Sequence, residues 1–101
     1  MLFWQHQPDS GTTSGGSWTA TTPVFSGALL RHVYIKFTTA TTSFDFSLTD
    51  QEGRQFINIT GNTGILNREY HIPLIGRYTL TISNASANEA FDIRIVAQDG
   101  P

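Results

Sequence analysis

Gly76–Asp99 reads GRYTLTISNASANEAFDIRIVAQD, and this stretch decides the fold. Tyr78, Leu80 and Ile82 alternate with Arg77, Thr79, Thr81 and Ser83. Further on, Phe91, Ile93, Ile95 and Ala97 alternate with Asp92, Arg94 and Val96. A period of two, carried by β-branched and aromatic side chains, is the mark of strands buried on one face. The connector Asn84–Asn88 holds residues suited to a turn and few that would prolong a strand. The stretch predicts two antiparallel strands onto which the rest of the chain assembles.

The same period recurs upstream. In Leu29–Thr39, Val33, Ile35 and Phe37 share one face while His32, Tyr34 and Lys36 share the other. Phe44, Phe46 and Leu48 alternate with Asp45, Ser47 and Thr49. Asp50-Gln51-Glu52-Gly53 then has Asp at the first turn position and Gly at the last, which suits a type I turn with a bulge. Arg54–Thr60 returns as a strand, although Ile57 and Ile59 lie opposite Phe56, so the pattern leaves its buried side open. Gly61–Gly64 reads as a turn, and Ile65–Ile72 as a poorly patterned stretch with a short strand at Tyr70–Ile72 before Pro73. Trp18–Phe25 suits an edge strand because Pro23 cannot donate to a ladder, and Gly27 reads as a turn. No helical period survives ten positions. Short strands punctuated by turn residues predict an all-β antiparallel sandwich.

Residues 1–17 differ in kind. Gln5–Ser17 is a run of breakers and small polar residues, with too little apolar surface to offset the entropy of ordering it. Leu2, Phe3 and Trp4 form an apolar tip on this tether, suited to docking on a partner or, for Phe3 and Trp4, to packing in a groove of the same domain. The reading is an N-terminal arm over residues 1–17 and a sandwich domain over 18–101, with residues 18–101 folding cooperatively alone.

Composition narrows the function. Charged residues are 14% of the chain against roughly 25% in ordinary soluble domains, with a formal net charge of −2. That balance gives no electrostatic basis for binding nucleic acid or an anionic membrane. Cysteine is absent, so neither disulfides nor thiolate metal sites are available. No apolar run approaches the ~20 residues of a membrane span, and Met1–Trp4 is too short for a secretory core, which predicts synthesis in the cytoplasm. His6, His32 and His71 show no metal-ligand spacing, and Asp50, Glu52 and Gly53 lack the repeated oxygen ligands of a calcium loop. Asp45, Glu89 and Asp92 are the carboxylates available for acid–base work, and no nucleophile, phosphate or dinucleotide motif accompanies them. No catalytic residue, metal or cofactor is expected. The Asn58-Ile59-Thr60 and Asn84-Ala85-Ser86 acceptor patterns are expected by chance in a chain so rich in Thr and Ser.

Most aromatics fall on core faces: Phe25, Phe37, Phe44, Phe46, Phe56, Tyr78 and Phe91. Trp4, Trp18, Tyr34 and Tyr70 do not fit there as readily. Exposed tryptophan and tyrosine serve as anchors in protein interfaces or as platforms for sugar rings. The candidate partner-binding set is Leu2, Phe3, Trp4, Trp18 and Tyr34.

Two resemblances follow from these residues. Gly76–Ile82, GRYTLTI, looks like the closing hairpin of jelly-roll-like sandwiches, a pattern shared with carbohydrate-binding and protease-appended domains. Gly27–Val96 is similar in texture to small structural proteins of tailed bacteriophages. It runs from Leu30-Arg31-His32-Val33-Tyr34-Ile35-Lys36 through Phe44–Asp50 to Pro73-Leu74 and Thr79–Ser86. The phage resemblance implies a virion component of the capsid cement or decoration type. Such a protein binds the major capsid protein, forms a homo-oligomer as a dimer or trimer, and sits on the capsid surface. A tail, adaptor or baseplate component and a carbohydrate-binding module with Trp18, Tyr34 or Tyr70 as its platform are the alternatives.

The alternation names the core face and can be checked. Leu80→Ala and Phe46→Ala should each destabilise by roughly 2–5 kcal/mol. Thr79→Ala and Ser47→Ala should stay within about 0.5 kcal/mol. Urea midpoints for the four variants measure this, and equal effects would show that the register is wrong.

Overall fold

The protein is described from a computed structural model, over residues 3–5 and 9–99. Among the described residues nine strands run in chain order: β1 (Phe3–Gln5), β2 (Ser10–Thr12), β3 (Trp18–Thr21), β4 (Phe25–Phe37), β5 (Ser43–Asp50), β6 (Gln55–Thr63), β7 (Ile65–Gly76), β8 (Tyr78–Ser83) and β9 (Ala90–Asp99). They form two antiparallel sheets packed as a sandwich. One holds β1, β9, β4 and β7 in that order, with β2 also on β9, and the other is ordered β3-β8-β5-β6. From β3 onward only β5 and β6 are neighbours in both sequence and sheet. Their hairpin closes on the Asp50–Gly53 turn. There the Asp50 carboxylate accepts the N–H groups of Glu52 and Arg54 at 3.0 and 2.9 Å and pairs with the Arg54 guanidinium at 2.8 Å.

The core lies where the alternation places it. Val33, Ile35 and Phe37, Phe44, Phe46 and Leu48, Leu80 and Ile82, and Phe91, Ile93 and Ile95 are all buried between the sheets. Two chains of rings run through it. Trp18, Phe91, Phe37 and Phe44 follow one another at centroid distances of 5.2, 5.1 and 4.8 Å. At the other end, Trp4 meets Phe25 edge-on at 5.5 Å, Phe25 lies 6.5 Å from Tyr78, and Phe56 meets Tyr78 edge-on at 5.4 Å.

The structure corrects the sequence reading at several points. β8 and β9 do not pair; each is central in its own sheet, and the Asn84–Asn88 connector crosses between them. Period-two patterning fixes a strand's faces but carries no signal for its partner. Gly27 is a bulge within β4, at φ +118°, where the pairing with β7 shifts register. β6 continues to Thr63, and only Gly64 separates it from β7 in the other sheet. Gly64 makes this step at φ +72°, and a Cβ there would lie 2.5 Å from the Ala40 carbonyl oxygen, so both conformation and space require glycine. β7 runs for twelve residues through Pro73, which an edge strand paired only to β4 tolerates. Phe56 sits at a register shift between Leu48 and Thr49 of β5, which explains the ambiguous pattern: the bulge carries its ring to the rim of the sandwich against Tyr78.

Phe3–Gln5 and Ser10–Thr12, within the segment read as an arm, are strands. β1 pairs with β9 from Phe3↔Gln98 to Gln5↔Val96, and β2 pairs with it from Ser10↔Asp92 to Thr12↔Ala90. Two short strands thus complete the outer side of β9. Thr13 is buried; its N–H donates to the Glu89 carbonyl at 2.9 Å and its hydroxyl to the Ser86 carbonyl at 2.6 Å. The breaker run is used locally as well: Ser14 and Ser17 exchange backbone bonds of 2.9 and 3.2 Å around Gly15-Gly16. Low apolar content did not prevent ordering because the hydrogen bonds come from an edge already in place. Residues 18–101 alone should therefore melt below the full chain.

Gly11 is a tight point of this arrangement. A Cβ there would lie 2.8 Å from Phe91 Cζ and 2.9 Å from Trp18 Nε1. Gly11→Val should destabilise by about 1–3 kcal/mol through overpacking. Ser10→Val, on an exposed neighbour, should stay within about 0.5 kcal/mol. Denaturant midpoints at unchanged slope measure both, and a silent Gly11→Val would show that β2 does not lie over these rings.

Candidate binding surface on the five-stranded sheet

The inward residues of β4 force His32, Tyr34 and Lys36 onto the outer face of the five-stranded sheet, with β9 and β7 on either side. The registers make rows across this face. Asp92, Lys36 and Ile65 form one, Arg94, Tyr34 and Asn67 the next, and Val96, His32 and Glu69 the third. Between Leu30 and His32 the register slips on both sides, so Arg31 and His32 both point outward instead of alternating. This irregularity places Arg31 beside His71 and Tyr70.

Hydrogen bonds order the side chains. His32 Nε2 and Asn67 Oδ1 are 2.6 Å apart, which makes the ring nitrogen the donor. Arg31 Nη1 lies 3.3 Å from His71 Nε2. A guanidinium can only donate, so this contact needs the His71 nitrogen unprotonated. Two adjoining shallow depressions result. One is lined by Arg31, His32, Glu69, Tyr70 and His71, and the other by Asp9, His32, Tyr34, Asn67, Asp92 and Arg94. Asp9 is fixed there because its carbonyl accepts the Ile93 N–H at 3.0 Å.

Of the residues expected to bind a partner, Trp4, Trp18 and Tyr34 do not form one surface. Leu2 lies outside the described residues, and Phe3 contributes backbone pairing with Gln98. Trp4 and Trp18 are partly buried and pack at opposite ends of the sandwich, against Phe25 and Phe91 respectively. Of Trp4, Trp18 and Tyr34, Tyr34 is the one that stands on an open sheet face. The pattern missed Asn67, Arg94 and Asp9; the alternation around Arg94 marked it as outward, but only the register brings the three to Tyr34.

The carboxylates considered for acid–base chemistry are not brought together. Asp45 accepts the Gly61 N–H at 2.8 Å and the Asn84 amide at 2.6 Å, which together hold its pKa below the usual value. Glu89 accepts the Thr42 hydroxyl at 2.6 Å and the Thr39 N–H at 2.9 Å. The Thr42 bond is the main cause of its lowered pKa; partial burial opposes the shift, and the Thr39 and Ser86 bonds add to it. For Asp50, burial pushes the pKa upward, but the Arg54 and Glu52 bonds and the Arg54 charge outweigh it. These are acceptors tying loops together, and Asp92 lies apart on the outer face. Among the described residues no group of three or more His, Cys, Asp or Glu is placed to hold a metal ion, and no helix is long and apolar enough to cross a membrane.

No protein-family model matches the chain, and no curated protein matches it. Among solved structures, that of FLHE is similar over 96% of this chain and 96% of its own, at 12% identity and a TM-score of 0.40. A family two carbohydrate esterase from Cellvibrio japonicus is similar over 99% of this chain and 35% of its own, at 12% identity and a TM-score of 0.39. Neither likeness bears on what this chain does.

The lowered carboxylates set an acid limit. Their ionised forms are favoured by folding, so the stability they add is complete above the unfolded value, about pH 4, and is lost as pH falls through the lower folded values. The melting temperature should be level from about pH 5 to 7 and fall below about pH 4. Glu89→Gln should melt lower at neutral pH and show a shallower acid slope. An unchanged slope would show that Glu89 is not among the groups responsible.

Proposed function

We propose that this protein is a non-enzymatic structural component of a tailed-phage virion, a capsid cement protein that binds the major capsid protein. The reading rests on the sequence texture described above, and one surface feature supports it. Val24, Phe56 and Ile75 are 66%, 39% and 74% exposed, and they gather where β4 begins, β6 begins and β7 ends. Tyr78 links them from within: its hydroxyl accepts the Ile75 N–H at 3.0 Å and its ring meets Phe56. Arg54, Glu52 and Arg77 stand exposed around this end. An apolar centre with a charged rim is the composition of a protein-binding patch.

The docking element thereby moves from the arm to the body. Trp4, resting on Phe25, supports the apolar end from its own chain. Self-association as a dimer or trimer finds its open edge in β6, whose nine residues include neither charge nor proline, the two devices that blunt free edges. β7, the neighbouring edge, carries Arg68, Glu69 and Pro73. Each bound copy would bridge capsid subunits and stabilise the assembled shell by mass action.

The test is binding of the purified protein to expanded heads assembled from the major capsid protein of the same phage. Saturable binding and a higher disruption temperature of the decorated heads are expected. Val24→Asp with Ile75→Asp should weaken binding by about tenfold or more while leaving the melt of the free protein within a few degrees. Absence of binding, or full affinity in the double variant, would overturn the reading or its docking surface respectively.

A further inference from the structure

We propose that the outer face of the five-stranded sheet is a binding site for neutral carbohydrate, with the Tyr34 ring as its platform. The inference goes beyond the capsid reading and uses a different surface. Tyr34 is half-buried at the centre of the grid described above. Arg94 and Asn67 flank it across the sheet, at the ~5 Å spacing of adjacent strands, and His32 and Lys36 flank it along β4, ~7 Å away. Asp92 and Asp9 close the same depression. A single aromatic ring is therefore surrounded by an amide, a guanidinium, an ammonium, an imidazole and two carboxylates.

That arrangement matches the chemistry of a sugar. A pyranose presents an apolar face of C–H groups that stacks on an aromatic ring, and a rim of hydroxyls that each donate and accept. Asp92 and Asp9 only accept, Arg94 and Lys36 only donate, and Asn67 does both, so a hydroxyl in any direction finds a complement. The His32–Asn67 bond at 2.6 Å holds two of these groups in place before a ligand arrives, which lowers the ordering cost of binding. Open, shallow depressions on a rigid sheet suit a chain of sugars lying across the strands, with Tyr70 and His71 in the adjoining depression for a second residue.

Charge selects the class of carbohydrate. Arg31, Lys36 and Arg94 on this face are matched by Asp9, Glu69 and Asp92. With the signs balanced and interspersed, the face builds no field that would concentrate a polyanion or a polycation. Nucleic acid and acidic polysaccharide are disfavoured on that ground, and a neutral polyhydroxylated chain is not.

The experiment is affinity electrophoresis of the full chain in gels containing soluble neutral polysaccharides: a β-glucan, xylan, mannan, galactan and dextran. Polygalacturonate and heparin serve as acidic counterparts. Retardation by at least one neutral polysaccharide and by neither acidic one is expected. Tyr34→Ala should weaken that binding by about tenfold or more, and Tyr34→Phe, which keeps the ring, should retain most of it. Because Tyr34 lies outside the core, the melts of both variants should remain close to that of the parent chain. No retardation in any neutral gel, retardation only in acidic gels, or full binding by Tyr34→Ala would overturn the proposal. Loss of head binding in Tyr34→Ala, without any retardation by sugars, would assign this face to a protein partner instead. The capsid reading is tested by the Val24 and Ile75 variants, so the two proposals fail separately.

Discussion

Phe91 has a ring on each side of it, Trp18 at 5.2 Å and Phe37 at 5.1 Å, and the rest of the sandwich depends on this contact. Trp18 belongs to β3 in the four-stranded sheet, Phe91 and Phe37 to β9 and β4 in the other, and Phe44 beyond them to β5 in the first sheet again. The stack therefore crosses the interface twice. Each ring pair contributes about 0.5–1.5 kcal/mol beyond its buried area, so four rings in contact bind the sheets at this end more firmly than aliphatic packing would. The contact also dictates what may lie over it. β2 can cover β9 only with a residue that has no side chain, and Gly11 is that residue.

From this constraint the polar loops at the same end follow. Once Gly11 is placed, Thr13 reaches the β8–β9 connector, and its single hydroxyl both donates to Ser86 and accepts the Glu89 N–H at 2.9 Å. Glu89 in turn gathers the β4–β5 loop through Thr39 and Thr42. Three crossings are thus fastened by two buried threonines and one carboxylate. Buried hydroxyls and backbone groups are costly unless satisfied, and here nearly every partner comes from a different loop. A chain without cysteine closes the end of its sandwich by such bonds where others use a disulfide.

What was legible in the sequence was whatever depends on a residue and its second neighbour. Val33, Ile35, Leu80 and Ile93 alternate with polar residues, and burial follows that alternation closely. The Asp50–Gly53 turn is equally local and lies where its residues put it. Long-range pairing has no such signature. Nothing in Ser10-Gly11-Thr12 announces that it will lie on Ala90–Asp92, because three polar residues become a strand only when an edge is offered. Irregular pairing hid the rest: Phe56 is an extra residue in β6, and between Glu69 and Ile72 β7 carries one residue more than β4 opposite it, so the two strands looked ambiguous and unpatterned. The candidate site was visible one residue at a time. Tyr34 could be read as outward, but its neighbours Asn67 and Arg94 lie 33 and 60 positions along the chain and meet it only through register.

Scarcity of charge links the two surfaces. The chain has six basic and eight acidic residues. Asp50 and Arg54 are spent on the hairpin turn, and Asp45 and Glu89 on holding a bulge and the loops. Arg31, Lys36 and Arg94 with Asp9, Glu69 and Asp92 occupy the outer face of one sheet. Glu52, Arg54 and Arg77 rim the end where Val24, Phe56 and Ile75 are exposed, and the apolar centre between them has weak hold on water. The face around Tyr34 is the opposite case, holding water through many fixed donors and acceptors that only a ligand of matching polarity can replace without loss. One end of the fold therefore favours a partner that brings apolar surface, and the face of the sheet favours one that brings hydroxyls. The two surfaces lie at different points along one ladder: Tyr34 is opposite Asn67, and Val24 and Ile75 lie beside the Phe25–Gly76 pair.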